Sequence, residues 1–183
     1  MSTMDTLKEL IQQVAVTRQQ FIQTVSGLNA EQVLFKPSPE AWSIVNNVEH
    51  LVWAELGGIN NIWKALDGIR SNTPVWTTEA IHRGLSVDEI IRKTWSPKLK
   101  APEILQPKWG GPIEFWIAAL NGCQLMLDAL SNALTGFDLE KIIYPHPVSG
   151  PLDVLQRMGF LRFHLNRHLV QVESIKSHFD FPK

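Results

Sequence analysis

Apolar residues recur at helical spacing over four long stretches of the chain. The first stretch, about residues 4–25, has an apolar face and a polar face, as an amphipathic helix requires. The second, about residues 43–69 with Ser43 as its cap, is apolar over most of its circumference, which predicts a helix buried on more than one side. Residues 113–134 form the third helix. The last is expected to begin at Gly150-Pro151, with proline in the first turn, and to reach about residue 179.

The pattern is lost between the second and third helices. Residues 71–112 carry prolines at positions 74, 97, 102, 107 and 112. Within them, residues 85–95 predict one short helix, with Ser86 as cap and Glu89 at the capping-box position. In the connector at residues 28–42, Pro37 and Pro39 rule out a long continuous helix, and the connector at 137–150 is predicted to contain a strand-like piece at 141–144. Long excursions of this kind in compact domains are often functional lids or binding loops.

These elements predict an all-α protein. We expect one domain, residues 1–183, built as a four-helix bundle with a long irregular insertion between helices 2 and 3. Bundles of this kind commonly hold metal ions and cofactors in their cores, between inward side chains of facing helices.

Charge narrows the range of partners. The 17 basic and 18 acidic residues are mixed along the chain and give a net charge of −1. Because a duplex-binding surface needs clustered lysine and arginine, nucleic-acid binding is not expected.

The sequence shows no sign of export or membrane insertion. The N-terminus lacks the apolar core of a signal peptide, and the weakly polar run at residues 115–127 is too short to span a bilayer. The one cysteine, Cys123, cannot form an internal disulfide, and no basic neighbour in sequence activates it, so a structural role is favoured. We therefore expect a cytoplasmic protein with no membrane partner.

Tryptophan is unusually frequent, with seven residues against one tyrosine. Four of them, Trp76, Trp95, Trp109 and Trp116, fall in or next to the irregular insertion. Large aromatic side chains there can wall a pocket or fill an interface, or they can simply cover the core. The sequence leaves these alternatives open.

Two histidines stand one helical turn apart near the end of the chain. His164 and His168 share one face of the last helix and lie beside an apolar stripe. Two neutral imidazoles that point inward can converge on one metal ion. The alternative is that they are hydrogen-bonded core residues, or a chance pair in a chain with six histidines.

A third ligand is available on another helix. His82 and His146 are expected in loops and His178 near the C-terminus, whereas His50 lies on the long, buried second helix. Three histidines from two helices would leave an open coordination position, which is typical of catalytic rather than structural sites.

Other groups near the histidines are candidates for supporting roles. No glutamate follows His164, so the arrangement differs from the HExxH motif of metalloproteases. Glu49 and Glu55 are candidate bases, although as buried charges they are more readily explained as structural. We expect Asn46 and Gln171 to support His50 and His168 by hydrogen bonding.

Together these pieces resemble the DinB-like superfamily. The resemblance is carried by Trp42-Ser43-Ile44, Val48-Glu49-His50-Leu51, Gly150-Pro151-Leu152 and the closing His164-x-x-x-His168-x-x-Gln171-Val172. It covers nearly the whole chain. The insertion at residues 71–112 looks long for the family.

The resemblance implies a four-helix bundle that binds a divalent metal ion, commonly zinc or nickel, through His50, His164 and His168. It also implies a homodimer. Some members are thiol-dependent transferases or isomerases that act with bacillithiol or mycothiol, so a small-molecule substrate such as a low-molecular-weight thiol is expected.

Three hypotheses follow. The leading one is a metal-dependent enzyme of the thiol-transferase or hydrolase type that acts on a small molecule. The second is a non-catalytic, dimeric helical bundle that serves as a binding or stress-response module. The third is a metal-carrying sensor without chemistry.

Overall fold

Helices dominate the described chain, which comprises residues 2–96 and 99–183 of a computed structural model. The all-α prediction is confirmed. The helices are α1 (Thr3–Val25), α2 (Ala30–Leu34), α3 (Ile44–Arg70), α4 (Val87–Thr94), α5 (Ile113–Ala133) and α6 (Val154–Lys176).

The four long helices form the bundle. Helix α1 packs beside α5 and α6, and α3 packs beside the same two helices. Helices α1 and α3 therefore face each other across the bundle. Side chains from all four line one apolar core, which explains why α3, in the interior, shows so little polarity around its circumference.

Serine, asparagine and aspartate residues fix where helices begin. Ser43 caps α3 and exchanges hydrogen bonds with Asn46, and Ser86 and Glu89 do the same at α4, as predicted. A third such box, Asn29 with Gln32, starts the short helix α2, which has five residues. The expectation that this connector holds no long continuous helix agrees with that length.

The last helix was predicted to begin at Gly150-Pro151, and that prediction was wrong. Gly150–Leu152 forms strand β2, which pairs antiparallel with β1 (Tyr144–His146). Helix α6 begins afterwards, because Asp153 and Gln156 form the capping box that satisfies its first N–H groups. The expected strand at 141–144 is displaced toward the C-terminus, since Leu139–Lys141 is a 3₁₀ turn.

The insertion between α3 and α5 folds back over the bundle. It contains α4 and a 3₁₀ turn at Glu103–Leu105. Ile90 of α4 packs with Leu152 and Phe160 in a small second cluster of buried apolar side chains. The insertion thus covers the side of the bundle where α3 and α6 meet.

A buried ion pair crosses the bundle interior. The Arg18 guanidinium on α1 contacts the Glu55 carboxylate on α3 at 2.5 Å, and both side chains are fully buried. Arg18 also donates to Gln124 of α5. Burial raises the pKa of Glu55, while the Arg18 charge opposes that rise. Glu55 is therefore a structural residue, as its position in a buried helix suggested.

Membrane insertion finds no support in the described part of the chain, where none of the helices is both long enough and apolar enough to cross a bilayer.

Arg18→Met should destabilise the protein by about 3–5 kcal/mol, because it leaves the buried Glu55 carboxylate without its cation. The double variant Arg18→Met/Glu55→Met should recover most of that loss, since neither charge then remains. Urea denaturation measures both. Lys141→Met is the control: it breaks the exposed Lys141–Asp138 pair and should change stability little. Equal losses in the single and double variants would contradict the prediction.

Candidate functional site

The three predicted histidines meet between α3 and α6. The Nε2 atom of His164 lies 3.2 Å from Nε2 of His50 and 3.1 Å from Nε2 of His168. The ligand atoms of all three lie within 4.8 Å of one another, and the three residues are buried. Helix α6 supplies its pair from successive turns of one face, and α3 brings His50 from the facing helix.

A backbone carbonyl of the insertion orients His50. Its Nδ1 lies 2.7 Å from the carbonyl oxygen of Leu105. Because a carbonyl can only accept, the proton is on Nδ1, and Nε2 presents its lone pair to the other histidines. The insertion therefore helps to build the site.

Asn47 orients His168 in the same way. The Nδ1–H of His168 donates to the Asn47 Oδ1 at 2.8 Å, and the Asn47 Nδ2 donates to the backbone oxygen of Ser43, also at 2.8 Å. The second bond fixes which end of the amide faces the imidazole. Outer hydrogen bonds of this kind set the tautomer of metal-binding histidines.

Asn46 does not have the role predicted for it. Its side chain completes the helix cap with Ser43 and does not orient His50. Gln171 was expected to support His168 by hydrogen bonding, and it does interact with that imidazole. The interaction tends to raise the pKa of His168. The sequence contained a signal for Asn47: it precedes His50 by three residues and so shares its side of α3.

The histidine cluster is suited to a cation. Burial lowers the pKa of His50, and it lowers the pKa of His164 and His168 well below the usual range, so the imidazoles are neutral. The Nε2 lone pairs of His50 and His168 both face the Nε2 of His164, which donates to one of them when it carries the proton and completes a three-nitrogen ligand set when the proton is on Nδ1. Three neutral imidazole nitrogens are a common ligand set for a divalent ion with an open position. The residues thus could hold such an ion.

A cavity of about 420 Å³ opens onto the three histidines. Its wall is largely apolar and includes Trp42, Trp95 and Phe160, as is usual for small-molecule pockets. The Trp42 ring centroid lies 4.9 Å from that of His50. Among the tryptophans near the insertion, Trp95 walls the cavity, whereas Trp116 is buried in the core and Trp109 is largely exposed.

Glu49, the other candidate base, anchors the insertion instead. Its carboxylate accepts hydrogen bonds from the backbone N–H groups of Lys108, Trp109 and Gly110 at 2.8 to 2.9 Å. Burial tends to raise the pKa of Glu49, but these bonds outweigh it and lower the pKa. A carboxylate used in this way holds the insertion over the bundle and is a weak proton acceptor.

His146 lies in the cavity wall, apart from the three-histidine cluster. Its Nδ1 accepts from the backbone N–H groups of Val148 and Ser149, so its Nε2 carries the proton. Burial, together with the Arg157 charge, lowers the pKa of His146 to about 3. His146 is therefore a neutral hydrogen-bond donor beside the cavity.

Cys123 is buried in the core, as the structural reading of the sequence expected. Burial and the Glu55 charge raise the pKa of its thiol to about 12. A thiol in this environment is not a nucleophile at neutral pH.

Asn47→Leu should weaken divalent-metal binding by about 10–100-fold, because His168 loses the acceptor that fixes its Nδ1–H. Titration with zinc against a competing chelator measures the affinity. Asn46→Ala is the matched control: it should lower helix stability through the cap and leave metal affinity unchanged. The same affinity in Asn47→Leu and in the native protein would refute the orienting role.

Metal-free protein should lose stability as the pH falls below about 6.5. In that range the histidines of the unfolded chain become protonated, whereas the buried histidines of the folded protein stay neutral because their pKa values are lowered. The contribution from His146 should be about 1.4 kcal/mol per pH unit, since its folded pKa is depressed and its stabilisation is lost on acidification. Urea denaturation of the native protein and of His146→Gln between about pH 6.5 and pH 4 tests this. The variant should show the shallower dependence; parallel curves would be evidence against it.

Comparison with known proteins identifies the family. An uncharacterized protein of Bacillus subtilis (strain 168), YuaE, is 29% identical over 161 residues, which cover 83% of this chain and 88% of the relative. No solved structure matches. The sequence profile of the DinB superfamily matches residues 13–172, a span that includes all three histidines, the whole of α3 and α5, and parts of α1 and α6. The chain therefore belongs to the DinB superfamily.

Proposed function

We propose that this protein is a metal-dependent enzyme acting on a small molecule, with the divalent ion held by His50, His164 and His168. The observation that carries the proposal is the convergence of three Nε2 atoms at the wall of a cavity of about 420 Å³. Zinc or nickel suits the site best, since neutral imidazole nitrogens are good ligands for both.

The chain's own residues prepare the site in two ways. Leu105 and Asn47 hold the Nδ1 protons of two histidines away from the centre, so the Nε2 lone pairs are available without deprotonation. The apolar wall limits water around the centre, which strengthens electrostatic interactions there. A bound divalent ion would supply Lewis acidity and favour ionisation of a coordinated water or thiol.

The composition of the wall favours thiol transfer over hydrolysis. No aspartate or glutamate is among the described residues that line the cavity. His146 has a strongly depressed pKa and uses its Nδ1 for backbone bonds, so it is a poor general base. A thiol ionised by coordination needs no such base, whereas hydrolysis of the HExxH type uses a carboxylate. We therefore propose a low-molecular-weight thiol as one substrate.

The sequence predicts a cytoplasmic location, and the family resemblance suggests a homodimer; both points stay predictions. A non-catalytic dimeric module is the competing function, and it would use the histidines only as core residues.

His164→Ala should abolish stoichiometric metal binding, because it removes the histidine that approaches both of the others. The affinity loss should exceed the roughly 10–100-fold effect of losing an outer hydrogen-bond partner. Metal analysis after purification under metal-replete conditions measures this, together with thiol consumption in the presence of an electrophile. His178→Ala, at the end of α6, is the matched control and should retain metal.

The absence of a divalent ion in metal-replete native protein would end the proposal. If His50→Ala and His168→Ala keep the native metal content but lose stability, the histidines are core residues and the non-catalytic module is correct.

A further inference from the structure

A buried arginine lies along the same face of α6 as the metal-site histidines. Arg157 precedes His164 by two helical turns, a rise of about 10 Å along the axis. Its side chain is 3% exposed and lines the same cavity as the three histidines. The cavity thus has a histidine end and an arginine end.

Most of the hydrogen-bonding capacity of Arg157 is unused. Its Nη2 donates to the backbone oxygen of Ala54 at 3.3 Å, whereas neither Nε nor Nη1 has a partner among the described residues. The described chain also places no carboxylate within ion-pair distance, although the Arg157 charge tends to lower the pKa of Glu55. A buried cation without a counter-ion is costly, so a structural role alone does not explain it.

The surroundings of Arg157 are built to keep the guanidinium in place. Gly58 on α3 lies directly against it, and a β-carbon at that position would overlap the guanidinium. The Phe160 ring lies 5.8 Å from the Arg157 Cζ, which adds a cation–π contact. These neighbours hold the charge in the cavity wall without neutralising it.

Further donors lie in the same wall. The Tyr144 hydroxyl is buried beside Arg157 and interacts with its guanidinium, although it makes no hydrogen bond of ordinary geometry in the described structure. Its pKa is raised by burial, so it remains a protonated donor. The His146 Nε2–H is a donor as well, and Lys100 adds a second positive charge at the lining. The wall thus presents several hydrogen-bond donors, two of them cationic, and its described residues include no carboxylate. Such a wall favours an anionic ligand.

We infer that Arg157 and Tyr144 bind a carboxylate of the substrate, whose other end reaches the histidine site. Of the two cations Lys100 is exposed to solvent and only Arg157 is buried, and one buried charge matches a carboxylate better than a doubly charged phosphate. Planar guanidinium groups also suit carboxylates. The inference rests on the proposed function only in taking the histidine end as the reacting end. It assigns the substrate to the class of small carboxylic acids.

Binding of propionate and of its neutral isostere propanamide, followed by NMR titration, tests the inference. The protein as purified should bind propionate tighter by about tenfold or more, because hydrogen bonds to a charged group discriminate to that degree. Arg157→Met should remove the preference. Arg162→Met, an exposed arginine on the same helix that bonds to Gln13, is the matched control and should keep it.

The same titration in His164→Ala separates the inference from the proposed function. If the preference for propionate persists in His164→Ala and still depends on Arg157, it arises from Arg157 and not from a bound metal ion. If Arg157→Met fails to fold, Tyr144→Phe replaces it, because it removes only the hydroxyl beside Arg157 and should weaken propionate binding several-fold.

Any one of three results would overturn the inference. The first is equal binding of propionate and propanamide, and the second is tighter binding of inorganic phosphate than of propionate. The third is an unchanged preference for propionate in Arg157→Met or, if that variant does not fold, an unchanged propionate affinity in Tyr144→Phe. None of these bears on metal binding by the histidines, which the His164→Ala and His178→Ala comparison decides independently.

Discussion

The need to satisfy polar side chains on a buried helix organises this structure. Helix α3 runs through the interior, so each polar group that it carries must find a partner elsewhere. Glu55 meets Arg18 of α1, Asn47 meets His168 of α6, and Glu49 and His50 meet backbone groups of the insertion. The helix is thereby tied to two other parts of the bundle and to the segment that covers it. Functional and structural polar residues alternate along α3, and losing either kind would disturb the other.

Much of the architecture could be predicted from the sequence, because the long helices have strong apolar periodicity and clear caps. The histidine cluster was also predictable, since helical spacing pairs His164 with His168, and among the other histidines His50 was the one placed on a long, buried helix, in agreement with the family resemblance. Local hydrogen bonding was harder to predict. Asn46 and Asn47 are adjacent amides, and only the direction of each side chain decides that one caps the helix and the other orients a histidine. The Leu105 carbonyl has no sequence signature at all, because every residue carries one.

Arg157 shows a different limit of sequence reading. Helical spacing places Arg157 on the face of His164 and Arg162 on another face, but charged residues on a helix are normally solvated, so spacing alone does not predict that Arg157 is buried. Its burial depends on the insertion and on the β1–β2 hairpin, which close the cavity around it. The segments with the weakest periodicity therefore decide which side chains of the regular helices become functional. The insertion is itself held against α3 by the hydrogen bonds that its backbone N–H groups donate to the Glu49 carboxylate.

Gly58 adds an evolutionary consequence. A glycine inside a helix costs about 1 kcal/mol relative to alanine, and here the missing side chain leaves the space that the guanidinium of Arg157 occupies. Substitution by alanine would favour the helix and displace the charge in a single step. Among homologous sequences, glycine at this position and arginine at 157 should be inherited together, and lineages that lose one should lose the other. The residues at positions 58 and 157, which lie almost a hundred residues apart in the chain, would then indicate whether a family member prefers a charged substrate.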